Sequence, residues 1–184
     1  MDLGKQNILF FTRTMMLGGT ENVVLQLCEV FKPKVNKIVV CSCGGVNVEK
    51  LTEMGIRHYQ IPDISSKKDM FKICRTVKKI VEKEQITVIH SHHRMAAFYT
   101  EILFGSSIIK IANAHNTFFD KKLLTRFAYR NTKVIAVGKM VKKNLVDYFR
   151  IPEKQVSVIH NAVKPFDGDY IEAVSYTHLR AHET

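Results

Sequence analysis

No apolar run reaches the roughly 18 residues that a membrane-spanning helix requires anywhere in this 184-residue chain. The first apolar stretch, Ile8 to Phe11, falls short of a secretory signal core of roughly 7–15 residues, and no small-residue cleavage site follows it. A cytoplasmic location is the expectation. Cys-x-x-Cys pairs are missing, which removes the common structural zinc sites. Cys28 and Cys74 fall on apolar faces of expected helices, and Cys41 and Cys43 lie within or at the end of an apolar strand. Four buried thiols are therefore expected. The Gly-Lys-Ser/Thr of a P-loop is absent. So are nucleic-acid recognition motifs and aromatic-rich basic strands, and no nucleic-acid partner is expected. Acidic residues are scarce: 17 against 28 Lys and Arg, a net charge of +11. That imbalance suggests an anionic partner (nucleic acid, an acidic membrane surface or a phosphorylated substrate) and by itself does not choose among them.

What is present has a regular order. Hydrophobic residues make up 46% of the chain and charged residues 24%, the balance of one globular domain with a sizeable core. Short apolar strands are expected at Asn7–Thr12, Lys37–Ser42, Arg57–Ile61, Thr87–Ser91, Ile108–Ala114, Lys133–Val137 and Gln155–Ile159. Several are continuous apolar runs, as in parallel strands covered on both faces. Amphipathic helices alternate with them. The first starts at Thr20 as N-cap, turns Val23, Val24, Leu27, Val30 and Phe31 inward, and ends before Pro33. A short helix fits Asn47–Met54, with Gly55 as its stop. The next, from Ser66 or Asp69 to Glu84, carries Met70, Ile73, Val77, Ile80 and Val81 inward and Lys72, Lys78, Lys79 and Lys83 outward. Others fit Met95–Phe104, Lys121–Tyr129 and Met140–Phe149. The fold class is α/β, a doubly wound Rossmann-like parallel sheet.

In such sheets ligands bind at the carboxyl ends of the strands, and the unusual residues of this chain collect there. Met16-Leu17-Gly18-Gly19-Thr20-Glu21 follows the first strand. A glycine pair before a helix lets backbone N–H groups approach a phosphate. The fourth strand ends in His90-Ser91-His92-His93-Arg94 and the fifth in Asn113-Ala114-His115-Asn116. His90 precedes its strand end and reads as a structural histidine. His115 reads as functional, since imidazole suits acid–base or hydrogen-bonding work near neutral pH.

These segments, together with Val134-Ile135-Ala136-Val137-Gly138 and Val156-Ser157-Val158-Ile159-His160-Asn161-Ala162-Val163, resemble the N-terminal domain of family 4 glycosyltransferases. The likeness runs in order from Asn7 to Lys164. It implies the N-terminal half of a GT-B fold, two Rossmann-like domains facing across a cleft. It also implies a retaining transfer from a nucleotide-sugar donor to a saccharide or lipid-linked acceptor, in the style of surface polysaccharide assembly and with no metal or other cofactor. By the same resemblance, Gly18 and Gly19 lie beside the donor phosphates and the acceptor, and His115 is the active-site histidine near the reacting sugar. Asn161 opens the interdomain linker. Thr20, His92, His93, Asn116 and Lys139 complete the expected substrate contacts. Two departures stand out. Ala162 takes the place of a usual glycine, and Gly138-Lys139 replaces a usual Ser-Glu and adds positive charge.

Residues 1–173 are thus expected to form the acceptor-side domain. Val174–Thr184 continues no pattern and reads as an adapter-derived, non-native tail. The donor-binding domain, with its paired glutamates, is expected after Lys164 and has no counterpart here, so the fragment alone should be inactive. Lys67, Lys68, Lys72, Lys78, Lys79 and Lys83, or the cluster Lys121, Lys122 and Arg126, could hold the domain to the inner face of an anionic membrane. Two rival readings remain. One is a metal-dependent hydrolase using His90, His92 and His115, and the other is a basic nucleic-acid-binding module.

Overall fold

The computed structural model describes residues 2–162. Seven parallel strands form one sheet in the order β3-β2-β1-β4-β5-β6-β7. They are β1 (Asn7–Phe11), β2 (Lys37–Ser42), β3 (Arg57–Gln60), β4 (Val88–Ser91), β5 (Ile109–Ala114), β6 (Lys133–Ala136) and β7 (Val156–Val158). Every expected strand is present, within a residue at most boundaries. The helices are α1 (Gly19–Phe31), α2 (Val48–Glu53), α3 (Met70–Glu84), α4 (Arg94–Phe104), α5 (Lys122–Ala128) and α6 (Lys139–Lys143).

Side chains alternate across each strand, and this splits the core by face. Ile8, Phe10, Ile38 and Val40 pack with Val24, Leu25 and Cys28 of α1 and Leu51 of α2. Leu9, Phe11, Val39 and Ile89 point the other way, onto Ile73, Val77 and Ile80 of α3 and Tyr99 of α4. Farther along the sheet, Ala112, Ala114, Val134 and Ala136 meet Ala128 of α5 and Val141 of α6. The small alanines of β5 let α4 and α5 approach closely. β1 therefore lies between two layers of helix, and the strand order reverses between it and β4. That reversal opens the crevice where ligands bind in doubly wound sheets.

Several details differ from expectation. Gly18, not Thr20, is the N-cap of α1, in extended backbone with φ −179°. The helix thus begins one residue before Thr20 and frees its side chain. Val30 is 52% exposed and Met70 38% exposed, because Leu25 and Cys28 take the core positions of α1 and α3 begins with an exposed turn. Cys28 and Cys41 are buried, but Cys43 and Cys74 are only partly covered. Burial raises the Cys28 thiol to about 12 and pushes Cys41 up as well. The helix expected over Met140–Phe149 is α6 followed by a π turn at Asn144–Tyr148. Buried Asn144 uses its side chain there: Oδ1 accepts from Phe118 N at 3.1 Å and Nδ2 donates to Phe118 O at 2.9 Å. The extra residue in the turn aims this amide at the loop after β5, a common use of π turns. The expected tail, Val174–Thr184, lies outside the described residues.

Among the described residues no helix is long and apolar enough to cross a membrane.

Candidate functional site

Three connections converge at the carboxyl ends of β1, β4 and β5. The first, Thr12–Gly18, is tied to the β2–α2 turn. Met15 N donates to Gly44 O at 2.9 Å, Asn47 N donates to Met15 O at 2.8 Å, and Asn47 Nδ2 donates to Met16 O at 2.6 Å. Gly45 sits at φ +147°, and a Cβ there would lie 2.4 Å from the Met15 carbonyl carbon. No side chain fits. Gly44 and Gly45 carry no local sign of this role and Asn47 reads only as the start of a short helix, yet all three hold the Met15-Met16 segment that leads into the Gly18-Gly19 turn. Gly45→Ala should lower stability by about 1–3 kcal/mol, as a reduced denaturant midpoint would show. Val46→Ala, at an exposed neighbour, should leave the midpoint within about 0.5 kcal/mol of wild type.

Gly19 has open space where a Cβ would stand, whereas at Gly18 the Glu21 carboxylate folds to 2.5 Å from that point. Glu21 accepts from Thr14 Oγ1 at 2.5 Å, which holds a negative charge on the α1 side of the crevice. Across from it, a pocket of about 120 Å³ is lined by Thr20, His92, His93, Asn113, His115 and Asn116, with Arg94, Ala114, Phe118 and Tyr129 completing its wall. The structure thus brings together most of the expected site residues.

The histidines are not equivalent. His90, 7% exposed, donates from Nε2 to Asn113 Oδ1 at 2.9 Å. His92 lies deeper, 2% exposed, with its Nδ1 3.3 Å from His115 Nε2. His93 caps α4: its Nδ1 accepts from Met95 N at 3.1 Å. His115 stands foremost and partly exposed. Burial lowers all four, His90 and His93 to about 4 and His92 well below its ordinary value. The Arg13 and Arg94 charges push His93 further down, whereas Glu21 pulls His115 partly back. At neutral pH the site therefore presents uncharged imidazoles.

Arg94 braces the outer rim. Its guanidinium donates to Asp120 Oδ1 at 2.8 Å and Oδ2 at 3.2 Å, and it lies 4.7 Å from the centre of the Phe118 ring. With Asn144 gripping Phe118 from below, the loop after β5 is fixed at two points. Asn116 is exposed on that loop. Lys139 opens α6 at the end of β6 and is exposed, outside the lining of the crevice pocket. Asn161 is exposed and lines a different cavity. That cavity is an apolar groove of about 430 Å³ between α1 and the opposite face of β5 and β6, shared with Leu27, Phe31, Ile111, Ile135 and Ile159.

Among the described residues no group of three His, Cys, Asp or Glu side chains is arranged to hold a metal ion. His90 Nε2 is already engaged by Asn113. The rival hydrolase reading therefore finds no ligand set among them.

An all-parallel doubly wound sheet with a polar crevice at its switch point has the architecture of an α/β domain that binds ligands at its strand ends. The sequence model of Glycosyltransferase Family 4 matches residues 17–165. The chain belongs to that family. It is 26% identical over 170 residues to a component of the human phosphatidylinositol N-acetylglucosaminyltransferase, covering 82% of this chain and 35% of that protein. It thus spans about a third of that relative's length. A glycosyltransferase from Rickettsia africae superposes with a TM-score of 0.73 at 16% identity, over 86% of this chain and 44% of that one. The lipopolysaccharide outer core galactosyltransferase WaaB gives 0.69 at 16% identity, over 86% and 46%. Anabaena HepE in complex with UDP gives 0.68 at 15% identity, over 86% and 44%. These likenesses establish the fold, the Rossmann-like N-terminal half of a GT-B fold.

Proposed function

We propose that residues 1–173 form the acceptor-side domain of a retaining glycosyltransferase, which moves a sugar from a nucleotide-sugar to a saccharide or lipid-linked acceptor. The observation that carries this is the crevice itself: Thr20, His115 and Asn116 line one pocket at the switch point of a Family 4 sheet, and Gly19 leaves open space beside it at the start of α1. The solved structure of HepE with UDP and glucose supports a UDP-sugar as donor. In the transfer, the bond from sugar C1 to the diphosphate oxygen breaks and a bond from C1 to the acceptor oxygen forms on the same face. The acceptor's proton leaves with the nucleoside diphosphate. Gly18 and Gly19 would meet the donor phosphates, His115 the reacting sugar, and Lys139 would add positive charge beside the cleft. Asn161 would open the linker to the donor-binding domain. No step requires a metal or cofactor.

The test uses the enzyme joined to its native downstream domain, a panel of radiolabelled UDP-sugars and bacterial membrane lipid extract. Label should enter the lipid or saccharide fraction with one donor, with an equal yield of UDP. Free sugar without a glycosylated product would point to hydrolysis and overturn the reading.

The membrane part of the proposal rests on a surface beside the crevice. Phe119 is 73% and Leu123 79% exposed, next to the basic Lys121, Lys122 and Arg126. Apolar side chains that enter the headgroup layer and cations that attract anionic lipid are the two components of interfacial binding. A lipid-linked acceptor would then arrive at the crevice rim. Each cation near such a surface is worth about 1 kcal/mol. Replacing Lys121, Lys122 and Arg126 with Ala should therefore weaken sedimentation with phosphatidylglycerol vesicles by on the order of 10²-fold. Equal binding to phosphatidylcholine vesicles would contradict the electrostatic part. The second basic face, along α3, carries exposed Phe71 among Lys67, Lys68 and Lys72, and its lysines serve as the comparison.

A further inference from the structure

One buried side-chain nitrogen in the crevice wall has no partner among the described residues: Nε2 of His92. The His92 ring packs against those of His90 and Phe10, with ring centroids 4.4 and 5.8 Å apart. The other nitrogen of His92, Nδ1, meets His115 Nε2 at 3.3 Å. A neutral imidazole has one N–H and one lone pair, so this contact has two arrangements. With the proton of His92 on Nε2, a buried donor has no acceptor and carries its full desolvation penalty. With the proton on Nδ1, that N–H donates to His115, and only a lone pair is left unmet. Buried orphan N–H groups are the rarer defect. Burial keeps both rings neutral near pH 7, so one proton sits in the contact.

We infer that His92 is a positioning residue, donating from Nδ1 to Nε2 of His115 so that His115 turns a Nδ1–H donor toward an oxygen of the bound sugar. The inference rests on the proposed sugar site. It changes what His115 can do there, because its Nε2 lone pair is occupied and its free nitrogen carries a proton. His115 is then a hydrogen-bond donor to a saccharide hydroxyl and not a base. His90 stays outside the relay, with its proton committed to Asn113.

Long-range 1H–15N correlation spectra of the histidine-labelled chain at pH 7 read the tautomers directly, with no substitution needed. Both His92 and His115 should show the Nδ1-protonated pattern. His115 protonated on Nε2 would overturn the inference. A pair of variants in the two-domain enzyme adds a functional readout. His92→Asn places an amide N–H near the former Nδ1, while His92→Phe keeps ring volume without a donor. A packing role alone would favour Phe in this ring-lined space. The donor role predicts the reverse, with kcat near wild type for Asn and reduced at least about tenfold for Phe, as expected when a catalytic imidazole loses its tautomer. Phe equal to or better than Asn would contradict it. Absence of sugar transfer by the wild-type enzyme would count against the proposed function and leave the tautomer result standing.

Discussion

His115→Ala, introduced into the enzyme with both domains, should lower kcat by a factor on the order of 10²–10⁴, the range for a positioned acid–base or polar group. His115 stands at the end of β5, partly exposed, with one nitrogen engaged by His92 and the other free toward the crevice. In the proposed transfer it places the reacting sugar through a hydrogen bond, which a methyl group cannot make. Stability should change little, because the apolar cores around β5 are made by Ala112 and Ala114, not by this ring. Turnover and denaturant midpoint measured on one preparation separate the readings. A large stability loss with normal specific activity would make His115 structural and move attention to Thr20 and Asn116.

Acid should destabilise the domain well above the range where carboxylates titrate. His90 and His93 are held at about 4 in the folded chain against an ordinary value of 6.5, mainly by burial. Between those values the unfolded chain binds protons that the folded chain refuses, so stability rises with pH across the window and is lost as pH falls. Each such histidine gives a slope of up to about 1.4 kcal/mol per pH unit, and the pair together about 2–3 kcal/mol per unit. Depressed His92 steepens the fall further. For a domain stabilised by roughly 5–15 kcal/mol, moving from pH 7 to pH 5 should remove a large share. Asp63 and Glu84 act in a separate, lower window. Hydrogen bonds from Arg13 to Asp63, and from Tyr59, Lys37 and Arg57 to Glu84, hold both carboxylates at about 2. Their stabilisation is complete above about 4.5, the ordinary value for Glu, and fades only below it. Urea midpoints at pH 7, 6, 5.5 and 5 would show the histidine slope. A flat profile across this range would mean that these rings are solvated or charged in the native state.

The elements legible in the sequence are those whose signal is local. Continuous apolar runs such as Val39-Val40-Cys41 and Ile8–Phe11 marked strands covered on both faces, and the spacing of Ile73, Val77 and Ile80 marked the buried stripe of α3. The strand ends then pointed to the crevice, because parallel strands leave their carboxyl ends on one edge. What stayed hidden depends on partners far along the chain. Gly45 is required by the Met15 carbonyl 30 residues earlier, and Asn47 looks like an ordinary polar residue until it meets Met16 O. His93 resembled its neighbours, yet its position before α4 makes it a helix cap. Asn144 read as part of a continuous helix, since nothing local signals that Phe118 waits to pair with its amide. Gly18 caps α1 without a side chain to mark it, so the local sequence points to Thr20 instead.

The central claim, that this crevice serves sugar transfer as one half of a two-domain enzyme, is tested most directly by a paired assay. The 184-residue chain and the same residues continued into their native downstream domain are each given the radiolabelled UDP-sugars and membrane lipid extract. The account predicts labelled glycolipid or glycan from the two-domain enzyme and none from the chain alone, because the groups proposed to stabilise the leaving diphosphate lie in the second domain. Transfer by the chain alone, or none by the two-domain enzyme with any nucleotide-sugar, would contradict it.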